Sequence, residues 1–203
     1  RNLLADLGRG RMTMTDEDAF EVGRNLAVTP GAVIFENEVM QLIQYAPQTA
    51  EVAEIPLLIV PPCINKFYIL DLQPENSFVR HAVARGMTVF LVSWRNPQAG
   101  QGHLRWDDYV EQGVLKALEI SAEISRVPKV NALGFCVGGT LLTTSLAVAR
   151  ARGEDKVASL TLLTTLLDFS GPGELGLFID PASVAMRESA IGQGGLMKGS
   201  ELD

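Results

Sequence analysis

The spacing of apolar positions changes character twice along this chain. Residues 1–30 mix apolar and charged side chains, and the first ordered signal is Thr15-Asp16-Glu17-Asp18. The Thr15…Asp18 spacing is close to a capping box and predicts a helix start that turns Phe20, Val22 and Leu26 toward a core. Two β-type runs follow, Gly31-Ala-Val-Ile-Phe35 and Val39-Met-Gln-Leu-Ile-Gln-Tyr45, separated by Glu36-Asn37-Glu38. That is hairpin spacing and predicts an antiparallel edge pair.

After the polar stretch Pro47–Glu54 the pattern becomes short unbroken apolar runs alternating with helical stretches. Pro56–Val60 (ending in Pro61-Pro62), Met87–Trp94, Val130–Phe135 and Val157–Leu167 read as buried strands of a parallel sheet. Between them, Phe78–Arg85 reads as a helix closed by Gly86. Trp106-Asp-Asp opens a long helix with acids in its first turn, where the helix dipole favours them. Trp106, Tyr109, Val110, Val114, Ala117, Leu118 and Ser121 share one stripe of that helix, which ends near Arg126, before Pro128. A further helix runs from about Gly138 to Arg152, with Gly153 as its C-terminal cap. The alternation predicts βαβ units. Beyond Phe169 the apolar density falls and glycines multiply from Gly171 to Gly199, so the tail is not a further βα unit. There is no internal repeat.

Composition narrows the class. With 47% apolar and 20% charged residues the chain is not generally disordered, and 203 residues lie between one domain and one and a half. Its 17 basic and 24 acidic residues give a net charge of −7. Without a Lys/Arg run, that argues against nucleic acid or an anionic membrane as main partner, so a polyanionic ligand needs a local basic pocket. Val130–Ala149 is uncharged over 20 residues, but Gly134, Gly138, Gly139 and a Thr/Ser cluster interrupt it, so no transmembrane segment is predicted. No charged-then-apolar leader suggests export. Cys63 and Cys136 are the only cysteines; they cannot build a disulfide framework and suit a reducing cytosol. Arg1 and Asp203 both read as cut points, not natural ends.

The sharpest chemical signal is Gly134-Phe135-Cys136-Val137-Gly138, followed by Gly139. It has the G-x-nucleophile-x-G form of a nucleophile elbow with Cys in place of Ser, and a strand before and a helix after, as the elbow requires. Helix N-termini favour thiolates, and the Val137 N–H is a natural oxyanion donor. A buried structural Cys among packing glycines is the alternative on the motif alone; the strand–turn–helix context favours the elbow. Pro61-Pro62-Cys63-Ile64-Asn65-Lys66 ends the first parallel strand, where such folds carry the second oxyanion N–H, from Ile64 or Cys63; the alternative is an ordinary loop. Cys63 itself reads as structural or incidental. Lys66, Arg95 and Arg105 are either contacts for a phosphate-bearing substrate or solvated charges. A triad in the order nucleophile, acid, His cannot be completed, because His81 and His103 both precede Cys136. Asp168, read as a strand end, is a candidate acid or a turn cap.

These residues resemble a known family. Gly134-Phe-Cys-Val-Gly-Gly139, Pro61-Pro62 with Ile64–Leu72, Val92-Ser-Trp-Arg-Asn-Pro97, Leu162–Phe169 and Glu21–Thr29 together are similar to class I polyhydroxyalkanoate (poly-3-hydroxybutyrate) synthase. The resemblance implies an α/β-hydrolase fold, a mostly parallel sheet with flanking helices, truncated before the last strands and most of the cap. Residues 1–30 would end an N-terminal region, 31–170 form the first half of the catalytic domain, and 171–203 begin the cap. It implies an acyltransferase that polymerises (R)-3-hydroxyacyl-CoA into polyester and releases CoA, with Cys136 matching the nucleophile and Val137 and Ile64 the oxyanion hole. The family's base His and Asp lie downstream, so these 203 residues alone are expected to be inactive. No cofactor or metal is implied, since the CoA thioester is the substrate. The implied partners are that substrate, the growing polyester and its granule surface, and a second copy in a homodimer, all in the cytoplasm. Cys63 departs from the family, which usually has Trp there. Thiol–thioester exchange is nearly isoenergetic, which suits a cysteine that must pass its acyl group on. The rival readings are a cysteine-elbow hydrolase resembling dienelactone hydrolase, and a non-catalytic fold relative with a vestigial elbow.

Overall fold

The unbroken apolar runs become the middle of a six-stranded sheet in the order β1-β2-β4-β3-β5-β6. The structure is a computed structural model that describes residues 8, 19–98, 100–192, 195 and 196. Its strands are β1 (Gly31–Glu36), β2 (Met40–Tyr45), β3 (Leu57–Val60), β4 (Val89–Trp94), β5 (Val130–Phe135) and β6 (Val157–Leu163). β4, β3, β5 and β6 run parallel, and β1 and β2 are antiparallel to their neighbours. The predicted hairpin is present, with Gly31 opposite Tyr45 and Glu36 opposite Gln41. Asn37 holds its turn: the side-chain oxygen accepts from the N–H groups of Val39 and Met40, both at 3.0 Å, and its amide donates to the Gln112 carbonyl at 2.7 Å.

The helices are α1 (Phe78–Ala84), α2, α3 (Val137–Ala151) and α4 (Pro181–Ile191). α2 is one rod in three parts: an α turn at Trp106–Asp108, a π-helical stretch Tyr109–Leu115 and a regular α-helix Lys116–Ser125. Arg126 closes it in the left-handed region at φ 56°, where the sequence pattern predicted its end.

The period-two alternation along each strand sends side chains to two cores, one per face. Leu58, Val60, Phe90, Val92 and Trp94 pack with Val114 and Leu118 of α2 and with Leu141 and Leu142 of α3. Leu57, Ile59, Val89 and Leu91 pack on the opposite face with Val79, Ala82 and Val83 of α1. All four residues of β3 are buried, as a central parallel strand requires.

Several sequence expectations change. Val157–Leu167 is not a buried strand: β6 stops at Leu163, pairs only with β5 among the described residues, and leaves Leu160 41% exposed. Trp106, the first residue of the rod, is 44% exposed rather than on the buried stripe, whereas Val110 and Val114 in the π-helical stretch are buried. The helix start at Thr15–Asp18 lies outside the described residues, and Phe20 and Val22 are exposed. The tail carries no strand among its described residues but does form α4, which Asp180 caps by accepting from the Ala182 and Ser183 N–H groups at 2.9 and 3.1 Å. No helix among the described residues is long and apolar enough to cross a membrane.

One polar group sits deep inside. Asp71 is 1% exposed and accepts from the hydroxyls of Thr29 and Ser77 at 2.6 and 2.5 Å, while its carbonyl accepts from Ala27 N–H at 2.9 Å. Ser77 in turn caps α1 by accepting from Arg80 N–H at 2.8 Å. The carboxylate therefore ties the segment before β1 to the start of α1. Burial, and secondarily the Asp71 charge, push the Tyr45 phenol upward. Replacing Asp71 by Ala strands two hydroxyls and should cost about 2 kcal/mol or more. A urea midpoint unchanged from wild type would contradict this role.

Candidate active site

β5 enters α3 through Cys136, whose backbone stands at φ 54°, ψ −129°. A side chain at positive φ carries strain that persists only where the surroundings enforce it. Here the Cys136 N–H donates to the Leu163 carbonyl of β6 at 2.9 Å, and its own carbonyl accepts from Gly139 and Thr140 N–H at 2.9 and 3.3 Å. Val137 opens the helix, so its N–H has no intrahelical acceptor.

The glycines are explained by what surrounds them. The alternation of β5 points Gly134 toward α3, where an added Cβ would overlap the backbone of Gly139 and stand 3.2 Å from Leu142. A Cβ on Gly138 would stand 2.6 Å from the carbonyl carbon of Pro61. A Cβ on Gly139 would overlap the Thr165 side chain. Thr140 donates to the Leu166 carbonyl at 2.8 Å, so the loop after β6 is fastened to the first turn of α3.

The loop after β3 lies against this corner. Pro61 and Pro62 are buried, Cys63 is half-buried and Ile64 is 66% exposed. Asn65 N–H donates to the Pro62 carbonyl at 3.3 Å, and the Ile64 N–H has no backbone acceptor among the described residues. Trp94, at the carboxyl end of β4, donates its indole N–H to the Pro61 carbonyl at 2.7 Å. Sequence reasoning did not single out this role of Trp94. The available signal was a Trp ending an otherwise aliphatic buried run, since a buried indole N–H needs a partner.

Burial is the main cause that pushes the Cys63 thiol up; its own backbone hydrogen bond opposes this, and the nearby Cys136 adds to it. The remaining candidates separate. His103 is engaged with Glu38 and the Gly100 carbonyl, both at 3.2 Å, and His81 is exposed on α1. Neither ring has Cys136 as a hydrogen-bond partner among the described residues. Asp168 is not a strand end: it lies beyond β6, exposed, and accepts from Ser170 N–H at 2.9 Å, which holds its carboxyl below the ordinary range. It caps a turn. Lys66 and Arg95 line one cleft, whereas Arg105 starts α2 through its N–H to Asp108 at 2.8 Å. Among the described residues no three His, Cys, Asp or Glu side chains converge as metal ligands.

A mostly parallel sheet flanked by helices, with a sharp strand-to-helix corner at Cys136 after β5, has the architecture of an α/β-hydrolase. The family model for that fold matches residues 56–193. An esterase of Rhizomucor miehei aligns with 100% of this chain and 60% of its own at TM-score 0.51 and 15% identity. An HSL homologue from a metagenome library aligns over 73% of this chain and 47% of its own, also at TM-score 0.51 and 15% identity. A second model, described as the N-terminus of poly-beta-hydroxybutyrate polymerase, matches residues 1–82. The poly(3-hydroxyalkanoate) polymerase subunit PhaC of Cupriavidus necator is 58% identical over 207 residues, covering 100% of this chain and 35% of that protein. Its counterpart in Rhizobium meliloti is 42% identical over 201 residues, covering 99% and 33%. The chain belongs to the poly(3-hydroxyalkanoate) polymerase family and spans about a third of the length of these relatives.

Overpacking the corner should be costly. Gly134→Ala and Gly138→Ala are each expected to lower stability by about 1–3 kcal/mol. Gly171→Ala, which meets open space, should stay within about 0.5 kcal/mol of wild type. Urea midpoints of the three variants compare them directly.

Proposed function

We propose that the protein carrying this chain is a polyhydroxyalkanoate synthase: an acyltransferase that joins (R)-3-hydroxyacyl units from CoA thioesters into polyester through an acyl group held on Cys136. The observation that carries the reading is the strained backbone of Cys136 at the head of α3, with the free Val137 N–H beside it. Membership of a family whose relatives are named polymerases supports the same chemistry. The Cys136 sulfur attacks the thioester carbonyl, and the developing oxyanion takes the N–H groups of Val137 and Ile64. The C–S bond to CoA breaks, CoA leaves as the thiol with the proton given up by Cys136, and the acyl group stays as an enzyme thioester. The 3-hydroxyl of the next unit then attacks that thioester carbonyl: the ester C–O bond forms, the C–S bond to Cys136 breaks, and the hydroxyl proton returns to the Cys136 sulfur. The base for these proton transfers, and the acid that assists it, come from residues beyond these 203, since neither histidine engages Cys136. In this reading the protein works as a homodimer in the cytoplasm at the surface of the polyester granule, without a cofactor.

In the full-length protein, Cys136→Ala should lower CoA release from 3-hydroxybutyryl-CoA by about 10³-fold or more. Mass spectrometry of the quenched wild type should find the acyl group on the Cys136 peptide. Turnover retained by the variant sinks the nucleophile assignment. Free hydroxy acid as the sole product would instead make the protein a cysteine-elbow hydrolase.

A further inference from the structure

Beside the loop that follows β3 the surface opens into a cleft of about 510 Å³. Lys66, Phe67 and Tyr68 form one wall, and Trp94, Arg95 and Asn96, from the carboxyl end of β4, form the other. Among the described residues no carboxylate lines it, although the chain carries a net charge of −7. The other lining side chains are uncharged, and neither Lys66 nor Arg95 has an ion-pair partner among the described residues. Two unopposed cations facing one cleft make the local basic pocket that a polyanionic ligand needs on an acidic protein.

The cleft is also tied to the elbow. Its Trp94 wall donates to the Pro61 carbonyl, and Pro61 is the residue against which Gly138 presses. β4, β3 and β5 are consecutive in the sheet, so the carboxyl ends of β4 and β5 lie two strand spacings apart, about 10 Å. Ligands of open α/β sheets bind in crevices outside the carboxyl ends of strands.

We propose that this cleft receives the phosphate-bearing end of the CoA thioester, with Lys66 and Arg95 holding its phosphates and the pantetheine arm running past Pro61 to Cys136. The proposal rests on the synthase reading for the identity of its ligand. The Arg95 guanidinium suits two-point contact with a phosphate, and Lys66 adds a point charge. Both groups are exposed, so their grip weakens with salt.

The test uses the full-length protein with Lys66→Gln, Arg95→Gln and the double variant. Each is assayed on 3-hydroxybutyryl-CoA and on the N-acetylcysteamine thioester of the same acyl group, which has no phosphate. The ratio of kcat/KM between the two substrates should fall about tenfold or more in the double variant, through KM, and should lose most of its salt dependence. An equal loss on both substrates, or no loss on the CoA thioester, overturns the proposal. If wild type turns over neither thioester, the synthase reading fails independently, and calorimetry decides the cleft. Coenzyme A binding that is lost in the double variant, with pantetheine binding equally to both proteins, supports it. Binding of coenzyme A that is absent, or equal in both proteins, overturns it.

Discussion

The carbonyl of Pro61 is touched from two sides. The Trp94 indole donates to it from the end of β4, and the missing side chain of Gly138 lets the first turn of α3 press against it. That contact fixes the carboxyl ends of β4 and β3 and the head of α3 relative to one another. Cys136 could not keep a left-handed backbone if any one of them drifted, because its conformation is imposed by its neighbours rather than preferred by its own chain. The loop carrying Ile64 leaves from the same point, so the N–H groups of Val137 and Ile64, proposed to take the oxyanion, are both tied to that contact. The two cores serve this arrangement by holding β3, buried on both faces, at the centre of the parallel strands.

Much of this was legible in the sequence because it follows from steric necessity. A corner as sharp as the one at Cys136 demands small residues on either side, and Gly134, Gly138 and Gly139 stand where a Cβ would collide. Short apolar runs punctuated by Gly and Pro reported β3, β4 and β5 for the same local reason. What was not legible depends on partners. Val157–Leu163 has the composition of a buried strand, but composition cannot report what lies on the far side of a strand. The π-helical stretch of α2 was equally silent: an apolar stripe fixes which residues face inward, not which carbonyl each N–H chooses. Trp106, at the first turn, is exposed while Val110, Val114, Ala117 and Leu118 are buried. The buried Asp71 carboxylate reaches Thr29, 42 positions away, and left no local pattern to find.

Charge behaves differently at the two scales of the molecule. A balance of −7 describes the whole chain and argues against polyanions as general partners. The walls beside Pro61 reverse that sign locally with two side chains, and screening over about 8 Å lets the reversal persist at the scale of one phosphate group. Global repulsion with a local exception is how an acidic protein can select one anionic ligand while rejecting extended ones.

The tryptophan that braces Pro61 has an optical consequence. The chain holds two tryptophans, Trp94 at 8% exposure and Trp106 at 44%. Indole emission moves to shorter wavelength in dry surroundings and to longer wavelength in water, so Trp94 weights the blue half of the emission and Trp106 the red. Trp94 also lies 5.6 Å from the Tyr109 ring, close enough to collect its excitation. The blue half of the fluorescence therefore watches the elbow from within, and any event that loosens the Pro61 carbonyl registers there without a label.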